Sequence, residues 1–197
     1  RTLNSAGIHP DFIVCRGEHS MDAPRKDKLS VFCNLKPENI ISAPDVKSIY
    51  NIPQTFEEQN LSSIMLKRFE MESKSANLDA WNKMAKVQET ATKTVKIGVV
   101  GKYFESGDYT LSDSYISVIE ALKHAAWDND AKVEMDWINS EEFEKDASKL
   151  EGLAAYDGVL VPGGFGTRGI EGVISTIKYC RENKIPYFGI CYGMQLA

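Results

Sequence analysis

The sequence predicts an α/β protein with two parallel-sheet domains, and three observations lead to that class. From Val95 onward, short apolar runs with strand character alternate with segments of helical period, the pattern of a parallel sheet covered on both faces. Before Phe69 the same pattern occurs in brief, as two strand candidates around one helix. Between them, residues 70–94 turn polar in Glu, Lys, Ser and Asn, as a connection between folded bodies does. The expected organisation is therefore a first domain over 1–69, a linker with its own helix over 70–94, and a second domain over 95–197.

In chain order, Asp11 to Cys15 reads as a short buried strand bounded by Pro10 and Gly17. Pro24 suits the first turn of a helix that runs through Asn34, with Leu29, Phe32 and Cys33 on one face. Asn39 to Ala43 is the second strand, which Pro44 would end. Gln54 to Phe69 has Leu61, Met65 and Phe69 at helical spacing and reads as one amphipathic helix. Leu78 to Glu89 is the linker helix, with a narrow stripe of Trp81, Met84 and Val87 that could dock on either domain or belong to the first. In the second domain, strands are expected at Val95–Val100, Lys132–Ile138, Tyr156–Val161 and Tyr187–Ile190. The helices between them are Asp113–Ala126, one starting at Glu141 with Ser140 as its cap, and Ile170–Asn183.

Composition restricts the class of function. With 43% apolar and 26% charged residues the chain is ordinary for a soluble globular protein. A formal charge of −5 argues against a nucleic-acid backbone as the main partner. No apolar run approaches the roughly 18 residues of a membrane helix. The four cysteines (Cys15, Cys33, Cys180, Cys191) show no Cys-x-x-Cys spacing, so neither a zinc site nor a disulfide framework is indicated. A reducing, cytoplasmic location is expected. The chain starts at Arg1 rather than Met, and both ends read as cut from something longer.

The last strand stops at Cys191, held between Gly189 and Gly193. This is the Gly-x-nucleophile-x-Gly elbow, in which a strand turns sharply into a helix and lifts the central side chain clear of the sheet. The glycines stand where a Cβ would collide with a neighbouring element. A small buried hydrophobe is the other reading of this cysteine. Pro162-Gly163-Gly164-Phe165-Gly166 ends the preceding strand, and a glycine-rich strand end can aim backbone N–H groups at an oxyanion. The N–H of Tyr192, the residue after the nucleophile, would be the second donor. His9, His19 and His124 each read as surface or packing residues, so the base that a thiol nucleophile needs is not among them.

Pro-Gly-Gly-Phe-Gly followed by Gly-Ile-Cys-Tyr-Gly-Met-Gln (189–195) resembles the class I, or triad, glutamine amidotransferases. The resemblance implies a flavodoxin-like domain that hydrolyses glutamine through a cysteinyl thioester and releases ammonia. It implies Cys191 as nucleophile, Gly164 and Tyr192 as oxyanion donors, and Gln195, with Gly193 and Met194, beside the glutamine. The family's His and Glu partners lie beyond Ala197, and Tyr192 stands where the family usually carries leucine.

The first half carries a second resemblance. On spacing alone, Lys28 and Pro44-Asp45-Val46 read as a solvated lysine and an ordinary turn, and no Gly-rich phosphate loop with Lys-Ser/Thr occurs. Yet Gly7-Ile8-His9-Pro10-Asp11-Phe12, Lys28 with Phe32-Cys33-Asn34, Asp45-Val46 and Ser48-Ile49-Tyr50 are similar to the CTP synthase family, in the carboxyl part of its P-loop-like synthetase domain. Gly98 to Tyr103 and Ser117 to His124 are similar to that family's glutaminase domain. The resemblance implies ATP-dependent amination of UTP to CTP, in which ammonia attacks C4 of UTP that ATP has phosphorylated. It implies Lys28 at the UTP/CTP nucleotide, and Asp45, Val46 and, less firmly, Pro44 at the adenine of ATP. GTP is implied as allosteric activator, with Phe165 and Arg168 as contacts, and CTP as feedback inhibitor. Mg2+ is implied with ligands outside this chain, as are a homotetramer and filaments. Residues 1–197, taken alone, are expected to be inactive. A glutaminase subunit of another pathway, a cysteine hydrolase or chaperone-like relative, and a purely assembling role are the alternatives.

Overall fold

The computed structural model describes residues 2–102, 105–106, 109–110, 115–164 and 166–197, with the backbone alone at 105–106 and 109–110. The chain forms two compact units, Arg1–Lys86 and Val87–Ala197. Both are mixed α/β with a parallel sheet.

The first unit runs α1 (Thr2–Ser5), β1 (Ile13–Gly17), α2 (Ala23–Cys33), β2 (Ile40–Pro44), α3 (Ile52–Glu57), α4 (Leu61–Arg68) and α5 (Asp79–Thr90), which crosses the unit boundary. β1 and β2 pair in parallel, from Ile13 opposite Ile40 to Gly17 opposite Pro44. α2 begins where the Asp22 carboxylate accepts from the Arg25 N–H, and it ends at Asn34 in the left-handed region, which asparagine tolerates. Phe32 does not pack as the helical stripe implied, since it is 60% exposed. The single helix expected over 54–69 is two helices. The Asn60 N–H donates to the Glu57 carbonyl at 2.8 Å and the residue turns through φ 56°, so α3 closes and α4 starts in a new direction. The Gln59 side chain next to the break accepts from the Ser42 N–H and donates to the Ser42 carbonyl, both at 2.8 Å. One amide thus satisfies the edge of β2. Trp81 on α5 donates to the Tyr50 carbonyl at 2.7 Å.

The second unit runs β3 (Lys93–Gly101), a short antiparallel pair β4 (Glu105–Ser106) and β5 (Tyr109–Thr110), α6 (Ile116–Asp128), β6 (Ala131–Asn139), α7 (Glu141–Lys145), a 3-10 stretch Ala147–Ala155, β7 (Gly158–Val161), α8 (Ile170–Asn183), β8 (Tyr187–Gly189) and α9 (Tyr192–Gln195). The main sheet has the order β6-β3-β7-β8, parallel throughout. Alternate residues of each strand face opposite layers. Val100 and Val161 pack with Val173, Ile177 and Cys180 of α8, whereas Val99 and Leu160 pack with Val118 and Leu122 of α6. Helices on both faces explain why β7 is apolar and buried along its length.

The chain moves outward from β3 to β6 and then crosses back to β7 on the other side of β3. The carboxyl ends of β3 and β7 therefore flank a topological switch point, where open α/β sheets bind ligands. Ser140 holds the N-cap position of α7 as expected, but its side chain does not do the capping. Its backbone already has helical angles, it makes no side-chain capping bond, and Asn139 Oδ1 accepts the Glu141 N–H instead, at 3.0 Å. No helix among the described residues is long and apolar enough to cross a membrane.

Candidate functional site

Cys191 stands two residues beyond the end of β8 and opens α9, exposed, with φ 51° and ψ −105°. That is a backbone conformation L-residues rarely adopt, and it persists only where the surroundings enforce it. The enforcement is visible on both sides. The Ile190 N–H donates to the Val161 carbonyl at 2.9 Å, which pins the approach to the turn against β7. A Cβ on Gly189 would stand 2.5 Å from the Gly193 carbonyl carbon and oxygen, and one on Gly193 would meet the Val161 backbone. Glycine at both places lets α9 fold back flat onto the strand ends. Tyr187 completes the support, its hydroxyl donating to the Gly193 carbonyl at 2.7 Å. Burial, with the nearby Cys180, pushes that phenol up to about 12.

The loop after β7 closes the other side. A Cβ on Gly163 would lie 3.5 Å from the Cys191 Cβ, so the glycine-rich strand end runs directly beside the thiol. Gly163, Gly164 and Tyr192 line a small cavity of about 20 Å³ together with Gly101 and Lys102 at the end of β3. The Tyr192 N–H, first in α9, donates to no carbonyl among the described residues, as the opening amides of a helix do. Gly193 is buried, whereas Met194 and Gln195 are exposed on the short helix. Phe165 lies outside the described residues. Arg168 is held rather than loose: its Nη2 donates to the Lys102 carbonyl at 2.8 Å, and its Nε is 2.7 Å from Glu141 Oε1.

Of the three histidines, only His124 belongs to the unit that holds the elbow. His124 stacks on Trp127 within α6, ring centroids 5.5 Å apart, and His9 and His19 belong to the first unit.

In the first unit Pro44, Asp45 and Val46 line a cavity of about 470 Å³ at the carboxyl ends of β1 and β2, with Val14, Arg16 and Phe56. Asp45 lies 3.6 Å from Arg16, both side chains exposed, a pair of little energetic weight. The Asp45 N–H donates to the Gly17 carbonyl at 2.9 Å, and Pro44 has no N–H. Lys28 is exposed on α2 and is not part of this lining. No group of three or more His, Cys, Asp or Glu able to hold a metal occurs among the described residues.

Motif and spacing assign no role to Lys102 or Tyr187, although Lys102 falls within one of the family-like stretches. The signal that could have marked Lys102 is position, since it follows the last residue of β3 at the carboxyl edge of the sheet.

Known proteins resemble the chain along its length. The family model for the CTP synthase N-terminus matches residues 1–71, and that for glutamine amidotransferase class-I matches residues 110–197. The chain is 43% identical over 197 residues to the CTP synthase of Listeria monocytogenes serotype 4b. To that of Ruminiclostridium cellulolyticum it is 46% identical over 199 residues. In both cases all of this chain is covered, and it spans about 36% of the relative's length. Among solved structures, a Trypanosoma brucei CTPS glutaminase domain with bound acivicin is 36% identical. The match covers 52% of this chain and 38% of that one, with a TM-score of 0.46.

Proposed function

Because the chain belongs to the CTP synthase family, we propose that the whole protein is a glutamine-hydrolysing CTP synthase in which Cys191 is the glutaminase nucleophile. The observation that carries this reading is the exposed thiol at a left-handed strand-to-helix turn, packed between two glycines that admit no side chain. The Cys191 sulfur attacks the amide carbon of glutamine, forming a C–S bond as the carbonyl oxygen takes the negative charge. The N–H groups of Tyr192 and Gly164 stabilise that oxyanion, which is worth on the order of 3 kcal/mol per donor. Collapse of the tetrahedral species breaks the C–N bond and releases ammonia, and water then hydrolyses the thioester to glutamate. The proton that moves from thiol to leaving amine requires a base other than His9, His19 and His124. Met194, Gln195 and the Gly193 turn are assigned to the glutamine side of the pocket.

Ammonia is passed to C4 of UTP in the synthetase half. The cavity at Pro44, Asp45 and Val46 suits a flat purine: Val14, Ile49 and Phe56 supply apolar walls, and the Val46 N–H is taken by no carbonyl among the described residues. ATP, when bound, supplies the phosphoryl group that activates the UTP oxygen. Lys28 is assigned to the pyrimidine nucleotide. Magnesium has no site built from the described residues. GTP activation through Arg168 and Phe165, feedback by CTP, a cytoplasmic location and assembly as tetramers or filaments belong to the same proposal.

The test is covalent labelling of the whole protein with a glutamine-directed electrophile, mapped by mass. Modification at Cys191, prevented by excess glutamine, is expected. An unlabelled Cys191 with label on another cysteine would contradict the assignment.

A further inference from the structure

The switch-point crevice holds a nearly buried cation with no part in the chemistry above. Lys102, one residue past β3, is 9% exposed. Its Nζ donates to the Gly166 carbonyl at 2.9 Å and lies 5.6 Å from the centroid of the Tyr192 ring, within cation–π range. The Tyr192 hydroxyl reaches the same Gly166 carbonyl at 3.3 Å. The main chain of Lys102 is engaged too, its carbonyl accepting from Arg168 Nη2 at 2.8 Å. Lys102 therefore holds the loop after β7 at two points, Gly166 and Arg168, while its head touches the residue that follows the nucleophile.

We propose that Lys102 is a positioning residue for the thiol chemistry, fixing the Gly163-Gly164 strand end at its working distance from Cys191 by clasping the Gly166 carbonyl beneath the Tyr192 ring. The proposal rests on the glutaminase reading of this site. The physical reason is pre-organisation: an oxyanion donor acts only if it is already in place when the charge develops, and a small displacement of a positioning element can cost about a hundredfold in rate. Gly163 and Gly164 have no side chains with which to anchor themselves. The anchor has to come from a neighbouring strand end, and Lys102 occupies it. A direct contact with a substrate carboxylate would instead act mainly on binding, which separates the two roles experimentally.

The experiment uses the whole protein with Lys102→Met, which keeps the length of the side chain without its charge, and Lys102→Arg, which keeps a charged donor. CTP formation is measured with glutamine and, separately, with ammonia. Expected in Lys102→Met is a fall of about tenfold or more in glutamine-dependent kcat, with KM for glutamine within about threefold and the ammonia-dependent rate unchanged. Lys102→Arg is expected to recover part of the glutamine-dependent kcat. An unchanged kcat in Lys102→Met overturns the proposal, as does a rise in KM alone. Loss of the ammonia-dependent rate in both variants also overturns it, because Lys102 would then support the fold at large. If the unsubstituted protein makes CTP from ammonia but not from glutamine, the underlying glutaminase reading fails, a result separate from any of these.

Discussion

At Cys191 the backbone is held where a non-glycine residue costs on the order of 1–3 kcal/mol, and the turn keeps the thiol in the open. Replacing Cys191 by glycine should relieve that strain. Cys191→Gly is expected to be at least as resistant to urea as Cys191→Ala, whereas a glycine variant clearly less stable would show that the turn is not strained. Gly193→Ala should cost roughly 1–3 kcal/mol, the range for overpacking, because the added carbon meets the Val161 backbone and lies 2.8 Å from Val161 Cγ1. Tyr192→Leu, by contrast, leaves the main-chain N–H in place while it removes the hydroxyl contact at 3.3 Å and the ring beside Lys102 Nζ. Glutaminase activity should stay within a few-fold, and a loss of about a hundredfold would contradict the main-chain assignment. The elbow was legible in the sequence because two glycines at fixed offsets from a cysteine encode a geometry. Lys102 was not, because its role depends on a carbonyl 64 residues away.

Among the elements, the break between α3 and α4 is the most instructive. Leu61, Met65 and Phe69 keep helical spacing along the second helix and its C-cap, so periodicity carries no sign of a turn at Asn60. The turn is made by one residue entering the left-handed region, and the adjacent Gln59 then pairs with Ser42 on β2. Gln59→Leu should strip two hydrogen bonds from a part-buried strand edge and lower the stability of the first unit by roughly 1–3 kcal/mol. Denaturation followed by the Trp81 fluorescence of that unit would measure it, and an unchanged midpoint would remove Gln59 from the account. Ser140 takes the N-cap position its residue type suggests, yet its hydroxyl does not cap. This serine is fully buried with its Oγ unpaired among the described residues, and the Glu141 N–H donates to the Asn139 side chain. The parallel strands were easy to read, because a sheet covered on both faces leaves continuous apolar runs.

For the molecule as a whole, the alkaline limit of the second unit follows from its core. Burial raises the Cys180 thiol from 9.0 to about 11, and Tyr187 is pushed up to about 12. Both groups stay neutral in the fold at a pH where the unfolded chain has begun to lose those protons. Stability is therefore complete below about pH 9 and declines as pH rises toward 11, with a slope of up to about 1.4 kcal/mol per pH unit per group. Cys180→Ala should flatten the first part of that decline in pH-dependent urea titrations, and an unaltered slope would exclude the thiol as its source. The polar stretch between two βα patterns predicts a linker over 70–94, whereas the chain divides into its two units at Lys86–Val87. Where α5 belongs was not legible, because its stripe of Trp81, Met84 and Val87 is too narrow to specify a partner. The bond from Trp81 to the Tyr50 carbonyl, which attaches its first turn to the first unit, leaves no periodic trace. The central claim is that one thiol releases from glutamine the nitrogen used in a synthesis carried out elsewhere in the protein. Measured in the whole protein with Cys191→Ala, CTP formation from glutamine should vanish while formation from ammonia continues at the unsubstituted rate. A variant that still makes CTP from glutamine would contradict it.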